Sequence, residues 1–297
     1  MRAAERGFLL LSSCLGNPER KPLTTAQLRT LADRAWRMEL PQSERELEVR
    51  DLLELGYSRE MATRIVALLS EEELLEHYLR TAKRSECEPL TRVSEGYPLA
   101  VRKRLGLDSP GVLWTKGDTD LLAHPKISLV GSRDLLDANQ NFAREVGRQA
   151  ALQGYTLVSG NARGADRTAQ EACLQAGGSV IIVVADELAK QRKRDRVLYI
   201  SEEDYDLAFS AQRAISRNRV IHSLGEMTFV AQSSFQTGGT WDGTVKNLRF
   251  GWSLVFCFTD GSQAATQLCQ MGALPISVKD LQDLSSLTNQ IQTLFDQ

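Results

Sequence analysis

The sequence has few cysteines and histidines and no long apolar run. Its five cysteines are scattered without a CxxC pair and its three histidines are equally dispersed, so no zinc site is expected and reduced thiols are the better interpretation. No apolar run approaches the roughly 20 residues of a membrane-spanning helix. Residues 8–14 (FLLLSSC) are similar to a lipoprotein signal, but the apolar part is shorter than a signal core and Glu5 precedes it. We expect a cytoplasmic protein without membrane or metal.

A net positive charge is also missing. The formal net charge is −2; residues 1–88 carry 14 Lys and Arg against 16 Asp and Glu, and the rest of the chain carries 22 of each. No global basic field therefore attracts nucleic acid, and a site for a polyanion has to be a local cluster. The composition, 42% hydrophobic and 25% charged, is that of a globular protein.

Motifs of nucleotide-dependent and hydrolytic enzymes are absent as well. The chain contains no G-x-G-x-x-G fingerprint, no Walker loop and no serine elbow. These absences disfavour a nicotinamide-dependent enzyme and an NTPase. We expect no cofactor.

The first 87 residues have the pattern of a helical domain. Four segments, 25–38, 44–55, 59–70 and 71–83, are expected to be helices; Thr24 or Thr25 begins the first and Gly56 ends the second. Such a domain has a packing or partner-binding role. Residues 88–120 are a connector with a short strand at 112–115, and 88–297 form the second domain.

From Lys126 onward, apolar strands alternate with helices. Helices are expected at 139–153 and 165–176, each followed by glycine, and continuously apolar strands between helices indicate a parallel sheet covered on both faces. The predicted strands are 127–130, 155–159, 180–184, 227–230, 254–258 and 274–277. The predicted fold class is α/β: a Rossmann-like, doubly wound, mainly parallel sheet with a small all-helical N-terminal domain.

Glycine-rich turns follow three of these strands, where a doubly wound sheet binds its ligands. The first turn contains Gly131, Ser132 and Arg133, which offer close backbone approach, a hydroxyl and a planar set of donors for phosphate. The third contains Gly238, Gly239 and Thr240 ahead of a helix.

The second turn lies in the stretch VSGNARGAD. Ser159 ends a strand, Gly160 and Gly164 bracket Arg163, and Asp166 begins the next helix. Backbone N–H groups at the start of a helix favour an anion. Three such turns on one sheet edge, two of them carrying arginine, predict an anion site.

Two basic stretches complement the turns. Residues 190–196 (KQRKRDR) hold five cations and one anion, which fits either a solvated surface loop or an anion contact. Arg217, Asn218 and Arg219 precede an apolar pair, where they could engage phosphates and sugar or base edges.

These motifs together resemble the DprA/Smf family of DNA-processing proteins. The resemblance rests on Gly131-Ser-Arg133, on Ser159-Gly-Asn-Ala-Arg-Gly-Ala-Asp166, on the glycine pair before strand 180–184 and on Arg217-Asn-Arg219, in the family's order; the upstream GYP and PGVLW segments are also similar. It implies a cytoplasmic single-stranded DNA-binding protein that acts as a dimer, helps load the RecA recombinase during natural transformation, and is not an enzyme.

By position, the resemblance implies that Arg133 contacts DNA, that Ser159, Gly160, Arg163 and Gly164 form the phosphate loop, and that residues 217–219 lie beside the groove. The sequence departs from the family in three places. TGGTWD (237–242) replaces a Ser-Gly-Ser stretch, KQRKRDR replaces a Tyr-Pro element, and a short helix-like tail follows Ser277 where a winged-helix domain is common.

Two alternatives stay open. The Rossmann-like superfamily includes nucleotide phosphoribohydrolases and nucleotide-sensing domains, in which Gly238–Thr240 would be part of the phosphate loop and Asp166 or Asp242 would assist glycosidic cleavage. The chain could also be a scaffold that binds only protein. Three aromatic side chains near the turns, Trp114, Phe235 and Trp241, could stack on bases or belong to the core.

Overall fold

A computed structural model describes residues 1–37 and 47–287. The N-terminal helices are α1 (Ala3–Ser12), α2 (Thr25–Arg37), α3 (Val49–Glu54), α4 (Arg59–Leu69) and α5 (Glu72–Arg84). The last residue of the first predicted helix, Met38, and the first three residues of the second, 44–46, lie outside the described residues. The predicted tail beyond residue 287 does so as well. None of the helices in the described ranges has the length and apolar character needed to cross a bilayer.

The remainder of the described chain is organised around one nine-stranded sheet. Its strands are β1 (Glu88–Thr91), β2 (Val112–Gly117), β3 (Lys126–Val130), β4 (Thr156–Ser159), β5 (Val180–Val183), β6 (Val197–Ser201), β7 (Met227–Val230), β8 (Leu254–Phe258) and β9 (Leu274–Ile276). Their order across the sheet is β1-β2-β6-β5-β4-β3-β7-β8-β9. Among the strand pairs in the described ranges, β1–β2 and β2–β6 are antiparallel and the other six are parallel.

Helices cover the sheet on both faces. They are α6 (Leu99–Leu105), α7 (Asp137–Leu152), α8 (Ala165–Gln175), α9 (Ala211–Ser216), α10 (Asn218–Leu224), α11 (Gly238–Phe250) and α12 (Gln263–Gln270). Along β5, Val180 and Ile182 belong to one apolar cluster, with α7 and α8, while Ile181 and Val183 belong to the other, with α6, α10 and α11. Strands buried on both faces have no polar side to alternate with, which is why they are continuously apolar.

The order of the strands confirms the predicted Rossmann-like, doubly wound fold. The chain builds β4, β5 and β6 on one side of β3 and then returns to build β7, β8 and β9 on the other. The carboxyl ends of β3 and β7 therefore border the point where the direction of winding reverses, which is where ligands bind in open α/β sheets.

Both edge strands of the sheet contain proline. Pro89 on β1 and Pro275 on β9 cannot donate to a further strand, and the N–H group of Thr91 on β1 donates to Ser94 Oγ at 3.0 Å. Proline at an edge discourages pairing with another chain.

The N-terminal helices pack in two ways. Leu9 on α1 and Tyr78 on α5 belong to the same apolar cluster as Trp114 of the sheet, whereas Leu52 and Ile65 belong to a smaller cluster among α1–α4. The predicted domain boundary between residues 87 and 88 stays a prediction. The predicted connector contains both β1 and α6, and β2 is longer than the strand expected at 112–115.

A histidine is buried between α10, α11 and strand β7. His222 on α10 is fully buried, Asn247 Nδ2 lies 3.0 Å from its Nδ1, and Nε2 has no hydrogen-bond partner among the described residues. Burial lowers the pKa of His222 to about 3. The folded protein therefore holds this imidazole neutral at pH values at which the unfolded chain protonates it.

Acidification should therefore destabilise the fold through His222. The contribution is present above the unfolded pKa of about 6.5 and is lost as pH falls towards the folded value. Relative to His222→Gln, wild type should lose about 2 kcal/mol of unfolding free energy between about pH 7 and pH 5, measured by urea denaturation. His77→Gln, at an exposed histidine on α5, is the matched control. An identical pH dependence in wild type and His222→Gln would contradict this account.

Candidate nucleic-acid interface

A cleft of about 480 Å³ opens where β3 and β7 end. Its walls are the turns after β3, β4 and β7 together with α9 and α10. The structure brings most of the sequence-predicted site residues to this cleft: Gly131, Ser132, Arg133, Asp166, Arg217, Asn218, Gly238, Gly239 and Thr240 all line it. Turns that are more than a hundred residues apart in sequence thus meet at one site.

Hydrogen bonds tie the turns to each other. The N–H group of Ala165 donates to the carbonyl of Ser132 at 3.1 Å, and Thr240 Oγ1 donates to the carbonyl of Gly131 at 3.0 Å. At Gly164, where φ is +80°, a Cβ atom would lie 2.3 Å from the carbonyl oxygen of Arg133. Only glycine fits that crossing, so the first and second turns hold each other in place.

Arg217 forms the floor of the cleft. It lies between α9 and α10 with 7% of its surface exposed, and its Nη1 donates to the carbonyl of Val183 at 2.6 Å. The guanidinium lies against the backbone of Gly160, where a Cβ atom would be 2.0 Å from Nη1. Burial lowers the pKa of Arg217, and the nearby Asp166 opposes that effect.

Asp166 is a second buried charge, on the first turn of α8. Its Oδ2 accepts the N–H group of Ala162 at 3.2 Å. Burial raises the pKa of Asp166 to about 6, although the charges of Arg217 and Arg133 lower it. The cleft therefore combines two guanidinium groups with one carboxyl that is poorly solvated.

Arg133 is the exposed member of the group. It lines the cleft and has no ion-pair partner within residues 1–37 and 47–287. Its charge lowers the pKa of both Asp166 and Arg217, and all three residues line the same cleft. Arg133 is thus available to an anion that enters the cleft.

Other predicted residues lie around the cleft rather than in it. Arg163 pairs with Asp134 at 3.0 Å, and Arg219 pairs with Glu202 at 2.9 Å beside a separate cavity of 250 Å³. Ser159 is fully buried, and its neighbour Gly160 is buried as well. Of the three arginines 133, 163 and 217, only Arg133 and Arg217 line the cleft, and Arg163 is paired with a carboxylate beside it.

Of the two carboxylates considered for a hydrolase, Asp166 lines the cleft and Asp242 does not. Asp242 pairs with Lys246 at 2.8 Å on α11. Among the aromatic candidates, Trp114 is fully buried, and Phe235 and Trp241 contact each other edge to face at 5.4 Å.

Sequence reasoning missed two glutamines that shape the site. Gln170 Nε2 donates to Ser159 Oγ at 2.7 Å and to the carbonyl of Gly160 at 2.6 Å. The carbonyl of Gln232 accepts the N–H group of Ser132 at 3.0 Å. Gln170 follows Asp166 by one helical turn, so a polar pair on an otherwise apolar helix face was the available signal. Gln232 had no such signal.

The fold and the cleft define a Rossmann-like protein with an arginine-lined, glycine-rich cleft at the switch point. Residues 88–283 match the sequence profile of the DNA recombination-mediator protein A family, and the chain belongs to this family.

Curated relatives have moderate identity to part of the chain. DNA processing protein DprA of Streptococcus pneumoniae is 33% identical over 148 residues, which cover 44% of this chain and 50% of that protein. Protein Smf of Escherichia coli is 29% identical over 142 residues, 44% of this chain and 38% of that protein. The chain thus spans about half the length, or less, of these relatives.

Solved structures share the fold. DprA from Streptococcus pneumoniae superposes with a TM-score of 0.68 at 22% identity, covering 87% of this chain and 92% of that one. DNA processing protein A from Helicobacter pylori, whose structure concerns its single-stranded DNA binding mode, has a TM-score of 0.55 at 21% identity, covering 71% of this chain and 96% of that one.

The contact between Gly160 and Arg217 leads to a stability prediction. In Gly160→Ala the new Cβ atom cannot coexist with the present guanidinium position, so the protein should lose about 1–3 kcal/mol of unfolding free energy, measured by urea denaturation. Gly7→Ala on α1 is the control, because its Cβ would meet only Leu69 Cδ2 at 3.9 Å. Equal stability of the two variants would show that Arg217 is free to move.

Proposed function

We propose that the cleft binds the sugar–phosphate backbone of single-stranded DNA and performs no chemistry on it. The observation that carries the proposal is that two arginines line one cleft. Arg133 is exposed and has no ion pair in the described ranges, and Arg217 is buried. A planar guanidinium donates to two phosphate oxygens at once. The single-strand binding mode of the Helicobacter pylori relative gives independent support.

Helix ends add to the attraction for phosphate. Helices α8 and α11 both begin at the cleft, with Asp166 and Gly238 in their first turns. The first N–H groups of a helix have no partner within it and lie at its positive end. Residues Gly238, Gly239 and Thr240 present such groups without a bulky side chain in the way. We propose them as the second phosphate contact.

The size of the cleft supports a single strand over a duplex. A volume of about 480 Å³ falls in the range of small-ligand pockets. It suits one or two nucleotides, and a strand of unpaired bases can enter such a concave site while a whole duplex cannot. Arg163 and Arg219 would contribute only if a phosphate displaced Asp134 or Glu202 from them.

Binding should depend on salt and on Arg133. Since each neutralised phosphate contributes about 0.7 to the log–log salt slope for single strands, Arg133→Ala should reduce the slope by about 0.7 and the affinity by about five-fold at 0.1 M salt. The measurement is fluorescence anisotropy with a labelled oligonucleotide over a salt series. Arg144→Ala, at an exposed arginine on α7, is the control. A flat salt response, or duplex binding as tight as single-strand binding, would refute the proposal.

We further propose a role in recombination, with the bound strand delivered to the RecA recombinase by a cytoplasmic homodimer in natural transformation. The family's description as a recombination mediator supports this role. The cysteines in the described ranges are all free thiols, which fits the proposed cytoplasmic location. The chain should shorten the lag of RecA ATPase activity on strands coated with single-strand binding protein, and Arg133→Ala should restore the lag. An unchanged lag at protein concentrations that saturate the strand would contradict it, and sedimentation would report the dimer.

A further inference from the structure

The connection between β5 and β6 contains the basic segment 190–196 (KQRKRDR), which we call the basic ridge. The cleft described above does not include it. Because β5 and β6 are parallel, this connection has to travel from the carboxyl end of one strand to the amino end of the next. It does so without an α-helix, since only the short 3-10 turn Leu188–Lys190 interrupts it.

The two ends of the basic ridge lie at opposite ends of the parallel strands, one near their carboxyl ends and one near their amino ends. Near its start, Gln191 Oε1 lies 3.5 Å from Asn161 Nδ2, in the glycine-rich turn at the rim of the cleft. At its end, Arg196 Nη1 donates to the carbonyl of Gly178, just before β5 begins, at 3.3 Å. The ridge thus leads away from the cleft over a span of up to about 17 Å.

The cations of the basic ridge are not equivalent. Lys190 pairs with Glu187 at 2.8 Å, Lys193 lies 3.6 Å from Glu86, and Arg196 lies 3.6 Å from Asp195. Arg192 and Arg194 are exposed and have no ion pair with any residue in the described ranges. In a molecule with a formal net charge of −2, these two guanidinium groups carry positive charge that no carboxylate in the described ranges pairs with.

We propose that Arg192 and Arg194 bind backbone phosphates of a single strand after it leaves the cleft, so that the basic ridge extends the nucleic-acid site. This inference rests on the proposed function of the cleft. The continuity through Asn161 and Gln191 connects the two surfaces, and arginine donors match the geometry of phosphate oxygens. Such contacts read no base and would lengthen the occluded strand rather than set its sequence.

Strand length separates the two surfaces experimentally. A labelled oligothymidylate of about 6 nucleotides should occupy the cleft alone, and one of about 20 nucleotides should also reach the ridge. The double variant Arg192→Ala/Arg194→Ala should bind the short strand as wild type does. It should bind the long strand about 10- to 30-fold more weakly at 0.1 M salt, with a log–log slope reduced by about 1.4.

A matched variant controls for the loss of two charges. Lys21→Ala/Arg59→Ala removes two exposed cations, one in the loop between α1 and α2 and one at the start of α4, which have no ion pair in the described chain, and should leave both affinities unchanged. The proposal for the ridge fails if the Arg192/Arg194 variant retains wild-type affinity for the long strand, or if the control variant loses as much. It also fails if the short strand is weakened equally. If wild type binds neither strand, the proposed function of the cleft fails with it.

Discussion

The candidate site depends on one buried cation, Arg217, and on the backbone that surrounds it. Taking a guanidinium out of water costs several kcal/mol unless hydrogen bonds and opposite charge compensate. Here the carbonyl of Val183 accepts from Nη1, the backbone of Gly160 leaves room for the planar group, and the nearby Asp166 supplies negative charge. Since these partners come from the ends of β4, β5 and the start of α8, Arg217 can be accommodated only when all three elements are in their present positions.

The fold was predictable because its physical cause is local. Strands such as β5 are apolar on both faces and are separated by amphipathic helices that end at glycine, a pattern that few arrangements other than a covered parallel sheet satisfy. Strand β6 was not predicted, since VLYIS follows a charged loop instead of a helix. The four residues of β1 include a proline and carry no alternation. Both strands are stabilised by pairing with other strands, β1 with β2 and β6 with β5 and β2, and the pattern of either segment alone does not reveal those partners.

The site was predictable only at the level of turns. Glycine spacing after parallel strands indicated which turns would meet, and the cleft includes all three. Which arginines remain available is a different question, because it depends on the carboxylates around each of them. Arg133 and Arg163 look alike as members of glycine-rich turns, yet Asp134 pairs with Arg163 and leaves Arg133 alone. Only three-dimensional geometry assigns that carboxylate to one of two arginines.

Buried and exposed cations in this protein therefore have different consequences for an anionic strand. Arg217 is almost completely desolvated, so its contribution is to shape the floor of the cleft and to hold a positive potential that salt screens weakly. Arg133, Arg192 and Arg194 are exposed, so their attraction is screened and adds with each phosphate neutralised. Under the proposed function, a near-neutral protein holds a polyanion through the position of its charges: one fixed charge determines where the strand enters, and the exposed charges determine how much of it is bound.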